Sequence, residues 1–289
     1  MSLPVIDAHH HFWDTGRADY PWMNAPAMAP IRRPFGPDDL APLLAANGVD
    51  ASIVVQCRSD EAETEELLSI AGSTAFVVGV VGWIDLESPD IGVRLDRLLQ
   101  RPAACKLVGI RHQVHDEPYA DWLTRARVRQ GLAAVFERGL TYDLLVRSRE
   151  MPAALAVARE FRHGRFVLDH AGKPPIAAGF DRIWADRLQA LGACPNVWCK
   201  ISGLATEATW RDWDAERLRP AIDHAWRCFG ENRLLFGSDW PVCLLAGPYD
   251  RIKRAAESCL SAFGQATLDK ARGANAVAAY KLRTGDPQC

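Results

Sequence analysis

No stretch of this chain approaches the roughly 18 consecutive apolar residues of a membrane span, so no membrane association is expected. The first residues lack the basic segment followed by an apolar one that marks a secretory leader. Charge of one sign is missing as well. The 34 Lys and Arg nearly balance 36 Asp and Glu, giving a formal net charge of −2 and no polyanion-binding surface, so no nucleic-acid partner is expected. The eight cysteines are Cys57, Cys105, Cys194, Cys199, Cys228, Cys243, Cys259 and Cys289; they form no CxxC pair and no dense framework. They read as free thiols in a reducing cytoplasm, which sets the expected localisation. Neither a GxGxxG turn nor a P-loop lysine motif occurs, which argues against an open dinucleotide-binding sheet.

What is present begins at Val5-Ile6-Asp7-Ala8-His9-His10-His11-Phe12-Trp13, a short apolar run leading into three histidines. On a strand, His9 and His11 share one face and His10 takes the other, so two imidazoles can grip a metal or polarise a carbonyl oxygen. The 289 residues are 48% hydrophobic and 24% charged, the composition of a globular protein. The ten tryptophans read mainly as bulky core.

Apolar strand-like runs alternate with helix-like stretches along the whole chain. The predicted strands are Val5–His11, Ser52–Cys57, Phe76–Trp83, Cys105–His112, Thr141–Arg147, Phe166–His170, Val197–Ser202 and Leu234–Asp239. Predicted helices include Asp38–Asn47, Asp60–Ala71, Gln130–Arg138, Met151–His163 and Asp214–Phe229, each followed by a glycine suited to a left-handed cap. Two more helical stretches follow the last strand. Eight strand–helix units predict an α/β protein with a (β/α)8 TIM barrel as a single domain over residues 1–289. The irregular stretch 14–37, with Tyr20, Trp22 and Met23 among its prolines, is expected to cover the barrel mouth.

In such a barrel the active site lies at the carboxyl ends of the strands. These predicted ends turn polar together: His9 and His11, Gln56 and Arg58, Trp83 and Asp85, Arg111 and His112, Arg147, Asp169 and His170, Lys200 and Ser202, Ser238 and Asp239. Asp169 alternates away from His170 and reads as structural, or as supporting the site residues from behind.

Asp7-Ala8-His9-His10-His11, His170 and Asp239 after Phe236-Gly237-Ser238 resemble the amidohydrolase superfamily. Leu168-Asp169-His170-Ala171-Gly172-Lys173-Pro174, Gly109-Ile110-Arg111-His112-Gln113, Cys199-Lys200-Ile201-Ser202-Gly203-Leu204 and Phe236-Gly237-Ser238-Asp239-Trp240-Pro241 look more closely like its sugar-lactonase branch, with fuconolactonase-like enzymes. The resemblance runs from residue 5 past 240 in matching order. It implies hydrolysis of a sugar lactone (fucono-, rhamnono-, galactono- or arabinono-lactone) to the aldonic acid. The hydroxyl pattern and ring size are not legible in the chain, nor is a choice between monomer and homodimer.

The resemblance further implies Asp239 as general base, with His9, His11 and His170 binding the carbonyl oxygen. Arg111, His112, Gln56, Arg58, Lys200, Trp22 and Trp240 are the expected substrate contacts. Metal-rich members usually carry a histidine ligand at the end of strand five; here Leu140-Thr141-Tyr142-Asp143-Leu144 has none. Lys106 lies too early in its strand to bridge two metals. The expectation is therefore that no cofactor is required. A single divalent metal such as zinc, held by His9, His11 and Asp239, is the alternative. The rival activity is a metal-dependent amidohydrolase or decarboxylase acting on a small carboxylated substrate.

Overall fold

The computed structural model describes residues 4–282. Eight parallel strands pair in sequence order. Strand β1 (Ile6–His10) leads to α1 (Pro37–Ala46), β2 (Ala51–Val55) to α2 (Glu61–Ser73), β3 (Val77–Gly82) to α3 (Ile91–Leu99), and β4 (Leu107–His112) to α4 (Ala126–Glu137). The second half repeats the alternation with β5 (Thr141–Leu144), α5 (Met151–Glu160), β6 (Phe166–Leu168), α6 (Arg182–Gly192), β7 (Val197–Ile201), α7 (Ala215–Phe229), β8 (Leu234–Phe236) and α8 (Tyr249–Ser261). Asp239 N–H donates to His9 O at 2.8 Å and His11 N–H to Trp240 O at 2.7 Å, bringing the segment after β8 back to β1. This is the predicted (β/α)8 barrel.

Helices α3 and α6 are additions to the expected set. Asp60, Asp181 and Asp214 cap α2, α6 and α7 by accepting backbone N–H bonds, which satisfies donors the helix leaves open. Gly230 ends α7 at φ +65°, as predicted. Gly72 instead lies inside α2, where a Cβ would stand 3.1 Å from Ala103 Cβ, so it serves close packing and not a cap. Cys57, Cys194, Cys199, Cys228, Cys243 and Cys259 are free thiols. Cys105 is not among them, a correction to the reading of all eight as free, because linear spacing does not report spatial pairing. Cys289 lies outside the described residues.

The interior is layered. Ile6, Ala8, Ile53, Val55, Val81, Val108, Val167 and Leu235 pack with Ala276, Ala279 and Tyr280 of the last short helix, α10 (Asn275–Tyr280), which follows α9 (Gln265–Asp269). Above this apolar floor the inward positions become charged: Asp143, Asp169, Lys200 and Arg111, all buried. Strict alternation from Ile6 and Ala8 would send His9 and His11 outward. The β1–β2 register shifts between Asp7 and His10, and this bulge returns both histidines to the interior. His10 turns outward, 2.9 Å from Ser52 Oγ.

The 14–37 segment is ordered. It holds two turns of 3-10 helix, Pro21–Met23 and Pro26–Ile31, with Tyr20, Met23 and Ile31 buried. Trp13 and Phe35 exchange backbone hydrogen bonds of 3.1 and 2.9 Å, which pins its base.

Candidate active site

His9 and His11 follow the β1 bulge. His170 and Asp239 stand just past β6 and β8, where the chain leaves the strand at φ +54° and +58°. Non-glycine residues seldom occupy this region, and the surrounding contacts hold them there. Asp7 organises two of these segments. Its Oδ1 accepts Ser238 N–H at 2.8 Å and His9 N–H at 3.2 Å, and its Oδ2 accepts Tyr249 O–H at 3.0 Å.

Four ligand-type atoms converge. His9 Nε2 lies 3.3 Å from His11 Nε2 and 3.6 Å from Asp239 Oδ1; His11 Nε2 and His170 Nε2 lie 3.3 and 3.9 Å from that oxygen. His11 Nδ1 sits 2.7 Å from Val55 O, which can only accept, so Nδ1 donates there and Nε2 is the nitrogen turned to the cluster. His170 Nδ1 is 2.9 Å from Ser202 Oγ.

Burial lowers the proton affinity of His9 well below its ordinary value and pushes His170 down to about 4. Burial would raise the Asp239 carboxyl, but His170, His11 and His9 outweigh it and hold the group below its ordinary range. At neutral pH His9 and His170 are therefore neutral beside an ionised carboxylate, the protonation state in which such groups bind a metal.

Directly behind His9 lies the charged layer. Lys200 Nζ is 3.1 Å from His9 Nδ1, 2.6 Å from Asp143 Oδ2 and 2.9 Å from Asp169 Oδ1. Arg111 donates through Nη1 to Asp169 at 3.0 Å and through Nη2 to Gln56 O. Burial raises Asp143 to about 6 against the pull of Lys200. For Asp169, Lys200, His9 and Arg111 overcome burial and keep it ionised.

A cleft of about 390 Å³ opens above the cluster, lined by His11, Arg111, His170, Asp239 and Trp22 among the expected residues. The structure does not bring the others to it. His9 lies beneath, among its partners. Gln56 bonds Arg111 O and Gln113, and Lys200 is closed in the charged layer. Trp240 is 1% exposed, packed edge-on against Phe12 and Phe35. His112 stacks on Trp122, with Trp83 and Glu117 on its two nitrogens. Arg58 pairs with Asp60 and faces an adjoining cavity, with Trp22 between the two. Both terminal nitrogens of Arg111 are engaged, leaving its Nε as the guanidinium atom with no partner among the described residues. A polar residue at a strand end can point into the mouth, into the core or behind a loop, and sequence position alone does not choose.

Sequence reasoning missed Lys173, Glu207 and Trp210, which line the same cleft. Lys173 carried a signal, its place in the Asp169–Pro174 motif. Glu207 and Trp210 carried none, being loop residues after β7.

The arrangement can activate water at a carboxylate and hold a positive centre against a carbonyl oxygen. Ligand atoms about 2.0–2.1 Å from a tetrahedral zinc stand roughly 3.4 Å apart. The distances above fit that geometry, and His9, His170 and Asp239 offer atoms all within 4.8 Å of one another. No histidine from β5 is needed; Asp143 points there into the charged layer instead.

Residues 6–282 match the family model described as Amidohydrolase. The chain is similar to two proteins named L-fucono-1,5-lactonase. The one from Burkholderia ambifaria is 40% identical over 281 residues, covering 96% of this chain and 95% of that protein. The one from Burkholderia multivorans is 41% identical over 299 residues, covering 98% and 97%. A solved amidohydrolase from Burkholderia multivorans with bound zinc superposes with a TM-score of 0.91 at 37% identity, covering 98% of this chain and all of that one. The expectation that no cofactor is required is therefore corrected. The zinc in that similar structure and the His–His–Asp cluster here point to a metal. The physical reason is that imidazole nitrogens and a carboxylate oxygen converge on one point, a donor set suited to a divalent cation.

Proposed function

The chain belongs to the amidohydrolase family, and we propose that it hydrolyses a sugar lactone, L-fucono-1,5-lactone or a close stereochemical relative, to the open aldonic acid. The observation that carries this reading is full-length similarity to two lactonases together with a buried carboxylate among histidines at the foot of a cleft of sugar size. His9, His11 and Asp239, with His170 beside them, would hold a divalent metal. When bound, it supplies Lewis-acid polarisation of the ester carbonyl.

Asp239 takes a proton from water as the water oxygen bonds to the carbonyl carbon. The ring C–O bond then breaks, and the proton on Asp239 passes to the departing ring alkoxide. A positioned base of this kind contributes about 10²–10⁴-fold. Ionised throughout the neutral range, Asp239 is always ready to accept. Asp169 braces His9 at Nδ1, Arg111 Nη1 stands 3.4 Å from its Nε2, and Trp22 offers an indole face at the rim. Among the described residues no helix is long and apolar enough to cross a membrane.

The test is acid release across a panel of sugar 1,4- and 1,5-lactones. The expected result is fastest hydrolysis of a 6-deoxy-hexonolactone. Failure to open any lactone would overturn the reading.

A further inference from the structure

The wall of the cleft formed by the loops after β5, β6 and β7 carries charges that the reaction above does not use. Glu207 Oε1 lies 2.9 Å from Lys173 Nζ and its Oε2 3.2 Å from Arg147 Nη1. The Glu207 side chain is only 14% exposed, yet it lines the cleft together with both partners. Burial would raise its carboxyl, but Lys173 and Arg147 outweigh it and keep the group ionised. The same turn, Ala205–Glu207, fixes an aromatic neighbour. Trp210 Nε1 donates to Thr206 O at 2.9 Å, and the indole lines the cleft as well.

A carboxylate offers about four acceptor positions, and the two ion pairs occupy one on each oxygen. Lys173 retains two further donors. The wall therefore presents paired acceptors flanked by donors, next to an apolar ring. Vicinal hydroxyls match this pattern, each donating once and accepting once, while the C–H face of the sugar ring covers an indole.

Resting on the lactonase reading, we propose that Glu207 determines substrate specificity by accepting hydrogen bonds from two vicinal hydroxyls of the lactone, with Lys173 and Arg147 donating to them and Trp210 seating the ring. Glu207 touches hydroxyls remote from the ester, so its contribution falls on binding. A hydroxyl that loses a charged acceptor loses about ten- to a hundredfold in discrimination.

The experiment compares L-fucono-1,5-lactone with δ-valerolactone, the same six-membered ester without hydroxyls, in the metal-loaded wild type, E207Q and R147M. The reading is the ratio of kcat/KM for the two substrates. If the plain lactone turns over too slowly to follow, its inhibition constant against the sugar lactone takes the place of its kcat/KM. E207Q is expected to lower the ratio at least tenfold, through KM, and R147M by a smaller factor in the same direction. An unchanged ratio, or equal slowing of both substrates, overturns the proposal, because a loop that merely loosens penalises both. Should glutamine loosen the loop, as a melting curve would reveal, E207D keeps the charge, shortens its reach and is read the same way. A wild type that opens neither lactone defeats the lactonase reading itself.

Discussion

Lys200 Nζ lies 2.6 Å from Asp143 Oδ2 inside the barrel, both side chains closed to solvent, and the same ammonium stands 3.1 Å from His9 Nδ1. Two carboxylates and two cations, Asp143, Asp169, Lys200 and Arg111, thus neutralise one another under the reacting cluster. A buried pair is a poor source of net stability, but removing one partner strands the other's charge.

Lys200→Met should therefore destabilise the fold by about 3–5 kcal/mol. Pairing it with Asp143→Leu should recover much of that loss. Urea unfolding of both variants checks this; equal stability of the single variant and wild type would show that the charge is not stranded.

Asp239→Asn should lower kcat by about 10²–10⁴-fold, the contribution of a positioned base. Its melting temperature should stay close to that of the wild type, since Asn fits the same space. Near-normal turnover would remove Asp239 from the proton transfer.

Dialysis against a strong chelator should abolish most lactone hydrolysis, and added zinc should restore it. His11→Ala should lose bound metal by elemental analysis. Activity that survives complete metal removal would contradict the metal-holding role of the cluster.

Gly203→Ala should impair the site without touching substrate. Gly203 sits at φ +61°, and a Cβ there would stand 2.5 Å from His170 Nδ1. The backbone penalty is about 1–3 kcal/mol, and a shifted imidazole costs about a hundredfold in kcat. Steady-state kinetics and a thermal melt separate the two effects.

The KM for the sugar lactone should stay flat from pH 8 to about pH 5, since the Glu207 carboxyl in the folded protein titrates below its ordinary value of 4.5. Because the folded value is the lower one, the ion pairs contribute stability above pH 4.5 and lose it as the pH falls through the folded value. KM measured across a buffer series checks this; a rise centred near neutrality would mean another group binds the substrate.

The sequence by itself determined the barrel. Eight apolar runs, each turning polar at the same end, admit few other architectures. It also singled out the residues proposed to react, because His9, His11, His170 and Asp239 lie in motifs tied to strand ends, and the fold brings them together. Tertiary structure alone decided which polar end residues reach the cleft. Lys200, Gln56 and Trp240 share the strand-end signature, yet they are turned into the interior by partners far away in the chain: Asp143, Arg111 and Phe35. It also decided where His11 Nδ1 is held, against a carbonyl on the neighbouring strand. Glu207 and Trp210 stayed invisible for the same reason. Loops after a strand carry no periodicity, and only closure of the barrel places them over the site.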